Sequence, residues 1–324
     1  MNPAELFDSA LEFPVVTSFT RIGYDARRRL AHWRPLDGYD LSGRTVLVTG
    51  ATSGLGLAAS EQFARNGATV ILLGRDRAKT EGVRDDLAAR TGSDAFEVVV
   101  ADMGDLDQVR AAARQVQAAH VSIDILVHNA GALIADRRVA SCGIEATVAS
   151  QVVGPFLLTS LLLPQLRAGR TGRVLTVSSG GMYASPLRVT DLQMGDDYKG
   201  SEQYARAKRA QVTLNEMWAL HLPRDEVVFH AMHPGWADTP GVRESLPTFR
   251  KVVGPLLRSP LQGVDTLVWL GADDDAPLRR NGRFWLDRHE RSIHKLPTTR
   301  RSDTVERRRR LWDWVTDVAG IGMH

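Results

Sequence analysis

The sequence predicts an α/β domain built on a doubly wound, mostly parallel sheet of about seven strands, with helices on both faces. Two observations carry that reading. Short runs rich in Val, Ile and Leu recur between longer stretches of helical pattern, which is the signature of alternating strands and helices. These runs lack polar alternation, as strands buried on both faces do. The first of them leads directly into a glycine turn, Thr49-Gly50-Ala51-Thr52-Ser53-Gly54-Leu55-Gly56, that opens a helix.

Residues 1–42 form an amphipathic N-terminal extension. Phe19, Ile22, Ala26, Leu30 and Trp33 recur at spacings of three and four, and Pro35 ends the pattern. Such a helix can lie on a membrane surface, on a partner or on the body of its own chain, and the last is the expectation. The main domain spans residues 43–297. Its strands are expected at 45–48, 69–73, 96–101, 123–128, 174–178 and 227–233, with a weaker one at 284–287, and its first helix at 57–66. Residues 298–324 read as a charged tail with a short helical patch around Leu311, Trp314, Val315 and Val318.

Composition excludes several function classes. At 43% hydrophobic and 24% charged residues, the chain has the balance of a soluble globular protein. Cys142 is the only cysteine, so no disulfide forms within the chain, and no Cys/His cluster suggests a metal. This usage fits a reducing compartment, and a cytoplasmic location is the expectation. The first residues, MNPAELFDSALEF, are acidic and do not read as a signal peptide. The longest apolar run, 152–163, is interrupted by Gly154 and Pro155 and is too short to span a bilayer of roughly 30 Å, so no transmembrane segment is expected. The net charge of +3 is mostly local arginine, at 27–29 and 307–310. Acidic residues flank both runs and no aromatic–basic repeat accompanies them, so they read as solvated helix faces and not as a nucleic-acid surface.

The glycine turn carries the first chemistry. A strand, a tight turn and a helix N-terminus bring backbone N–H groups and the positive end of the helix dipole to one point, where a pyrophosphate binds. Gly50 permits the turn, Gly54 lets the backbone approach the phosphates, and Gly56 lets the helix sit close to the sheet; Thr52, Ser53 and Leu55 complete the cradle. A dinucleotide cofactor is implied. The end of the next strand selects between its forms: an acid holds a ribose hydroxyl, an arginine accepts a 2′-phosphate. Here the strand ends Leu73-Gly74-Arg75-Asp76. Arg75 favours NADP(H), because a guanidinium pairs well with a phosphate, while Asp76 keeps NAD(H) open.

Tyr204-Ala205-Arg206-Ala207-Lys208 places a tyrosine and a lysine four residues apart on one helix face. Tyrosine is too weak an acid for work at neutral pH. A nearby ammonium lowers its pKa, so Lys208 is expected to make Tyr204 a usable general acid/base.

The spacing TGxxxGxG, Ala101-Asp102-Met103, Asn129-Ala130-Gly131, Ser178-Ser179-Gly180-Gly181, the YxxxK pair and His233-Pro234-Gly235-Trp236-Ala237-Asp238-Thr239 together resemble the short-chain dehydrogenase/reductase superfamily, over residues 42–287. Residues 178–182, 204–211 and 232–242 are most similar to the subgroup called dehydrogenase/reductase family member 12, which also has a prologue. The resemblance implies a dinucleotide-binding Rossmann fold and hydride transfer between NADP(H) and a small apolar carbonyl or alcohol substrate. It implies that Ser179, with Ser178 as its neighbour in the turn, binds the substrate oxygen. Lys208 holds the ribose, and Asp102 and Met103 meet the adenine. Asn129, Ala130 and Gly131 line the cofactor, and Pro234, Gly235 and Thr239 contact its nicotinamide and phosphates. Residues 182–203 form an inserted loop near the pocket. Trp236, Leu246, Phe249, Val252, Leu256 and Leu257 line or cap that pocket, or simply pack in the core.

Two positions depart from the family pattern. His128 stands where an asparagine is usual. Gln151 stands where an asparagine holds a water that connects the lysine to solvent, so Gln151 is a candidate for that relay. These departures motivate an alternative reading, a catalytically weak NADP(H)-binding sensor or scaffold. Family members often pair through the helices carrying Gln151 and Tyr204, so a homodimer or homotetramer is open, unless the prologue covers that surface.

Overall fold

The computed structural model describes residues 15–245 and 247–322; the acidic N-terminal segment and Leu246 lie outside the described residues, as do the side chains of Phe249 and Val252. Eight strands form one sheet: β1 (Thr45–Thr49), β2 (Thr69–Gly74), β3 (Phe96–Val100), β4 (Ile125–His128), β5 (Gly172–Val177), β6 (Val227–Met232), β7 (Arg283–Leu286) and β8 (His289–Arg291). Their order is β3-β2-β1-β4-β5-β6-β7-β8. The pairs from β3 to β7 are parallel, and β8 folds back antiparallel on β7. This is the expected doubly wound sheet with one extra edge strand. That strand is only three residues long, too short for periodicity to reveal.

The helices are α1 (Val15–Phe19), α2 (Arg21–Leu30), α3 (Gly54–Arg65), α4 (Arg77–Thr91), α5 (Leu106–Ala119), α6 (Gly154–Arg167), α7 (Gly200–His221), α8 (Pro240–Ser245), α9 (Pro247–Val253), α10 (Pro260–Ala272), α11 (Pro297–Ser302) and α12 (Val305–Ala319). One apolar cluster joins α5, α6, α7 and α12 to one sheet face; the other joins α3 and α10 to the opposite face. β1 lies between β2 and β4, so chain direction across the sheet reverses there. That reversal opens a crevice at the carboxyl ends of the strands, the usual ligand position in such sheets.

Ala146–Arg167, which includes α6, is long and apolar enough to cross a membrane by composition alone, although the uninterrupted run looked too short. It is 72% buried in the protein, as expected of a core helix.

The N-terminal helices pack on the body of the chain. Phe19 is buried, Tyr24 donates a hydrogen bond to Asp265 (3.0 Å), and Arg27 reaches Asp287 (2.7 Å). Burial of Arg27 corrects the reading of residues 27–29 as a wholly solvated face.

The charged tail needs a larger correction. Residues 305–319 form a full helix, capped at its start by Thr304. Leu311, Val315 and Ala319 are completely buried in the main core. Trp312 packs edge-on against Phe156 of α6 and stacks on His221 of α7. Arg308 pairs with Asp303 and with Glu216 of α7. The apolar patch at helical spacing was legible, but the high charge concealed that it belongs to a full helix docked in the core. Among the described residues, this C-terminal helix packs against α6 and α7, and α1 and α2 make no comparable contact with them.

Candidate active site

The loop after β1 folds as its glycines require. Gly54 has φ of +55°, and a Cβ on Gly56 would stand 2.2 Å from the Gly50 carbonyl oxygen, so no side chain fits there. Ser53 sits at the N-cap of α3 without a side-chain capping bond, so the first-turn N–H groups are left for another acceptor. Thr239 closes over Gly54, 3.3 Å from where its Cβ would lie. An uncapped helix start, a glycine floor and the dipole end suit a pyrophosphate.

Asn129 braces this loop. Its amide nitrogen donates to the Thr49 and Gly50 carbonyls (3.0 and 3.1 Å). The Thr49 hydroxyl accepts from the N–H groups of Asn129 and Ala130 (3.0 and 3.1 Å). Ala130 packs directly against Gly50.

At the end of β2, Gly74 pairs with Val100 of β3, which sets Arg75 beside the Ala101–Met103 turn. A Cβ on Gly74 would meet the Thr80 hydroxyl at 2.2 Å and the Thr52 methyl at 2.9 Å, so an acid is sterically excluded there. The Asp76 carboxylate is engaged as the N-cap of α4, accepting from the Lys79 N–H (2.8 Å). Arg75 is exposed and has no hydrogen-bond or ion-pair partner among the described residues. Asp102 is also exposed and accepts from the Gly104 N–H (2.8 Å), while Met103 is buried beneath it.

Ser179, Tyr204, Lys208 and Gln151 converge near Gly131. Ser179 follows β5, and its hydroxyl lies beside the Tyr204 hydroxyl, whose pKa it lowers. Ser178 instead points into the protein, buried and without a partner among the described residues. The Lys208 ammonium donates to the Val177 carbonyl (2.9 Å) and lies over the Tyr204 ring, 5.4 Å from its centre. A Cβ on Gly131 would sit 3.0 Å from Gln151 Oε1 and 3.4 Å from Lys208 Nζ. Gln151 lies in a single π-helical turn, Ala149–Val153, just before α6. Such turns often mark functional positions, but nothing in the local sequence announces one.

The electrostatics correct one expectation. Burial raises the Tyr204 hydroxyl to about 12, against which the Ser179 hydrogen bond pulls down. Burial also lowers Lys208 to about 7. In the protein alone, desolvation outweighs any help from the lysine, because a half-neutral ammonium is a weak source of positive potential.

Pro234 and Gly235 continue from β6. Gly235 has φ of +71°, and a Cβ there would stand 2.3 Å from Arg258 Nε. Trp236 is half-buried; its N–H donates to the Phe19 carbonyl (2.7 Å), and the two rings meet edge to face. Leu257 is buried. The 182–203 segment is clamped by arginines within and beside the YxxxK motif. Arg206 binds Asp191, and buried Arg209 donates to the carbonyls of Met182, Ser185 and Ile293. Neither arginine stood out in the sequence, because the Asp191 carboxylate and the backbone carbonyls that they bind reach them only in the folded loop.

His128, His230 and His233 are buried and held neutral, with pKa values lowered by burial to about 3, 4 and 3. The unfolded chain binds protons at these sites below about 6.5, whereas the folded one does not. Stability is therefore expected to fall as pH drops from about 6.5 toward 4, at roughly 1.4 kcal/mol per pH unit for each histidine. Urea midpoints at pH 7 and pH 5 check this; equal midpoints would contradict it.

A family model described as short chain dehydrogenase matches residues 44–248. The chain is 36% identical to dehydrogenase/reductase SDR family member 12 of Homo sapiens over 289 residues, covering 89% of this chain and 90% of that one. It is 34% identical to polyprenol dehydrogenase of Mus musculus over 310 residues, covering 91% and 90%. A solved structure of a protein from Mycobacterium Paratuberculosis superposes with a TM-score of 0.70 at 25% identity, covering 90% of this chain and 99% of that one. With the phosphate loop, the Ser179–Tyr204–Lys208 cluster and the sheet order, these matches identify the chain as a member of the short chain dehydrogenase family, a nicotinamide-nucleotide-dependent oxidoreductase.

Proposed function

We propose that the chain reduces a small apolar carbonyl compound with NADPH, and runs the reverse alcohol oxidation with the same groups. The observation that carries this reading is the convergence of Ser179, Tyr204 and Lys208, with the lysine fixed against the tyrosine ring. Gly50, Thr52, Ser53, Gly54, Leu55 and Gly56 hold the pyrophosphate, Arg75 the 2′-phosphate, and Asp102 and Met103 the adenine end. Ala130, Gly131, Pro234, Gly235 and Thr239 border the nicotinamide half. When bound, the nicotinamide supplies the hydride that reaches the carbonyl carbon. Ser179 donates a hydrogen bond to the carbonyl oxygen and orients it. Tyr204 gives its proton to that oxygen, so the product leaves as an alcohol. Lys208 holds the ribose hydroxyls and, once charged beside them, favours the phenolate that remains.

Direction follows from the acid strength. A phenol that stays protonated to about 12 is in its proton-donating form throughout the neutral range. Carbonyl reduction is therefore expected to vary little with pH near 7, whereas alcohol oxidation, which needs the phenolate, is expected to rise with pH.

Cofactor preference rests on Arg75, which has no competing partner, and on Asp76, which is engaged as a cap. Arg75→Ala removes charge-assisted bonds worth roughly 1.5–3 kcal/mol, and is expected to weaken NADPH binding about 10- to 100-fold while leaving NADH nearly unchanged. Fluorescence titration of both cofactors checks this, and equal losses would sink the NADP(H) assignment. Oxidation of NADPH with a panel of apolar aldehydes and ketones tests the reaction itself; a chain that binds NADPH yet turns over none of them fits the sensor reading instead.

A further inference from the structure

His128 and Gln151, the two departures from the family pattern, lie 23 residues apart in sequence and meet at one buried cavity. The cavity has a volume of about 30 Å³ and lies among β4, β5, the π-turn, α6 and α7. Its polar lining comprises His128, Gln151, Thr159, Thr176, Gln211 and Asn215. His128, Gln151, Gln211 and Asn215 are each more than nine-tenths buried. Five of their atoms have no hydrogen-bond partner among the described residues: His128 Nδ1, Gln151 Oε1, Gln211 Oε1, and both Oδ1 and Nδ2 of Asn215.

The assignments around these atoms are constrained. His128 Nε2 is paired with the Thr159 hydroxyl at 2.7 Å. Gln151 Nε2 donates to the Ala132 carbonyl at 2.8 Å, so the oxygen is the end left without a donor. Leaving a buried donor or acceptor unsatisfied costs about 1–3 kcal/mol each, and five around one cavity is far from the native norm. A water needs roughly 10–15 Å³ of such space and two to four polar partners, so the cavity has room for about two.

We propose that this cavity is a resident water site. About two waters donate to Gln151 Oε1 and bridge His128 Nδ1, Gln211 and Asn215. Gln211 and Asn215 are then positioning residues. They hold the waters that fix the Gln151 amide, whose oxygen stands on the Lys208 side of Gly131. Gln151 is thus oriented from inside the fold. The effect on catalysis rests on the proposed reaction, whereas the hydration does not.

The test is a high-resolution crystal structure of the full chain, with nuclear Overhauser contacts between water and the side-chain amides of Gln211 and Asn215 as a second readout in solution. Density for waters bridging at least three of the named atoms, together with those contacts, is the expected result. A dry cavity, or Gln211 and Asn215 turned into direct bonds with each other, overturns the proposal even in an active enzyme. Asn215→Leu is expected to remove at least one water and to shift the pH profile of alcohol oxidation while leaving NADPH affinity unchanged; an unshifted profile in a folded variant overturns the positioning role. If the chain reduces no carbonyl, the water density and amide contacts still decide the hydration.

Discussion

Replacing Asp287 by alanine is expected to cost the fold about 3–5 kcal/mol, the penalty for breaking a buried ion pair from one side. The Asp287 carboxylate accepts from Arg258 Nη1 and Nη2 (2.6 and 2.9 Å) and from Arg27 Nη1 (2.7 Å). All three side chains are at most 2% exposed. Without the carboxylate, two guanidinium groups are left facing each other away from water. Asp287 also has φ of +54°, where alanine is strained and asparagine is tolerated. Asp287→Asn therefore isolates the charge: it keeps the backbone and one acceptor and is expected to destabilise less than alanine. The loss should be felt at the site, because Arg258 also holds the carbonyls of Ser18, Phe19 and Thr20, and the Phe19 carbonyl holds Trp236. Urea unfolding and protease cleavage near residues 15–30 check this. A loss under about 1 kcal/mol, typical of exposed pairs, would mean that the network contributes little.

Tyr204→Phe is expected to lower carbonyl reduction by about 10²- to 10⁴-fold, the usual contribution of a positioned proton donor. The ring, its packing and its place over Lys208 are retained, so the fold and the phosphate loop are left intact. Ser179→Ala leaves the tyrosine in place but removes the neighbouring hydroxyl that opposes its raised pKa. Alcohol oxidation in that variant is expected to need a higher pH than in wild type.

Sequence disclosed what is local. The phosphate loop is eight consecutive residues with one conformational solution, and Tyr204 and Lys208 meet through ordinary helical spacing. Seven of the eight strands stand out because burial on both faces leaves uninterrupted apolar runs. What sequence concealed depends on contacts made at long range. Arg27, Arg258 and Asp287 come from three distant segments, and nothing near any of them signals the others. The C-terminal helix looked like a charged tail with only a short helical patch, because the docking of Leu311 and Val315 in the core depends on contacts with distant helices. The different surroundings of the two serines, Ser179 beside Tyr204 and Ser178 buried, needed the turn after β5 to be built. The raised pKa of Tyr204 needed burial, which no motif reports. The cavity behind Gln151 is set by side chains from several elements, so its two unusual residues looked unrelated along the chain.

The central claim is that Tyr204 supplies the proton while the rest of the site holds NADPH. Its most direct test is to measure, on matched preparations of wild type and Tyr204→Phe, NADPH binding by fluorescence and NADPH oxidation with an apolar carbonyl substrate. The account predicts equal binding and a turnover reduced at least about 100-fold. A variant that binds NADPH and oxidises it as fast as wild type would contradict it.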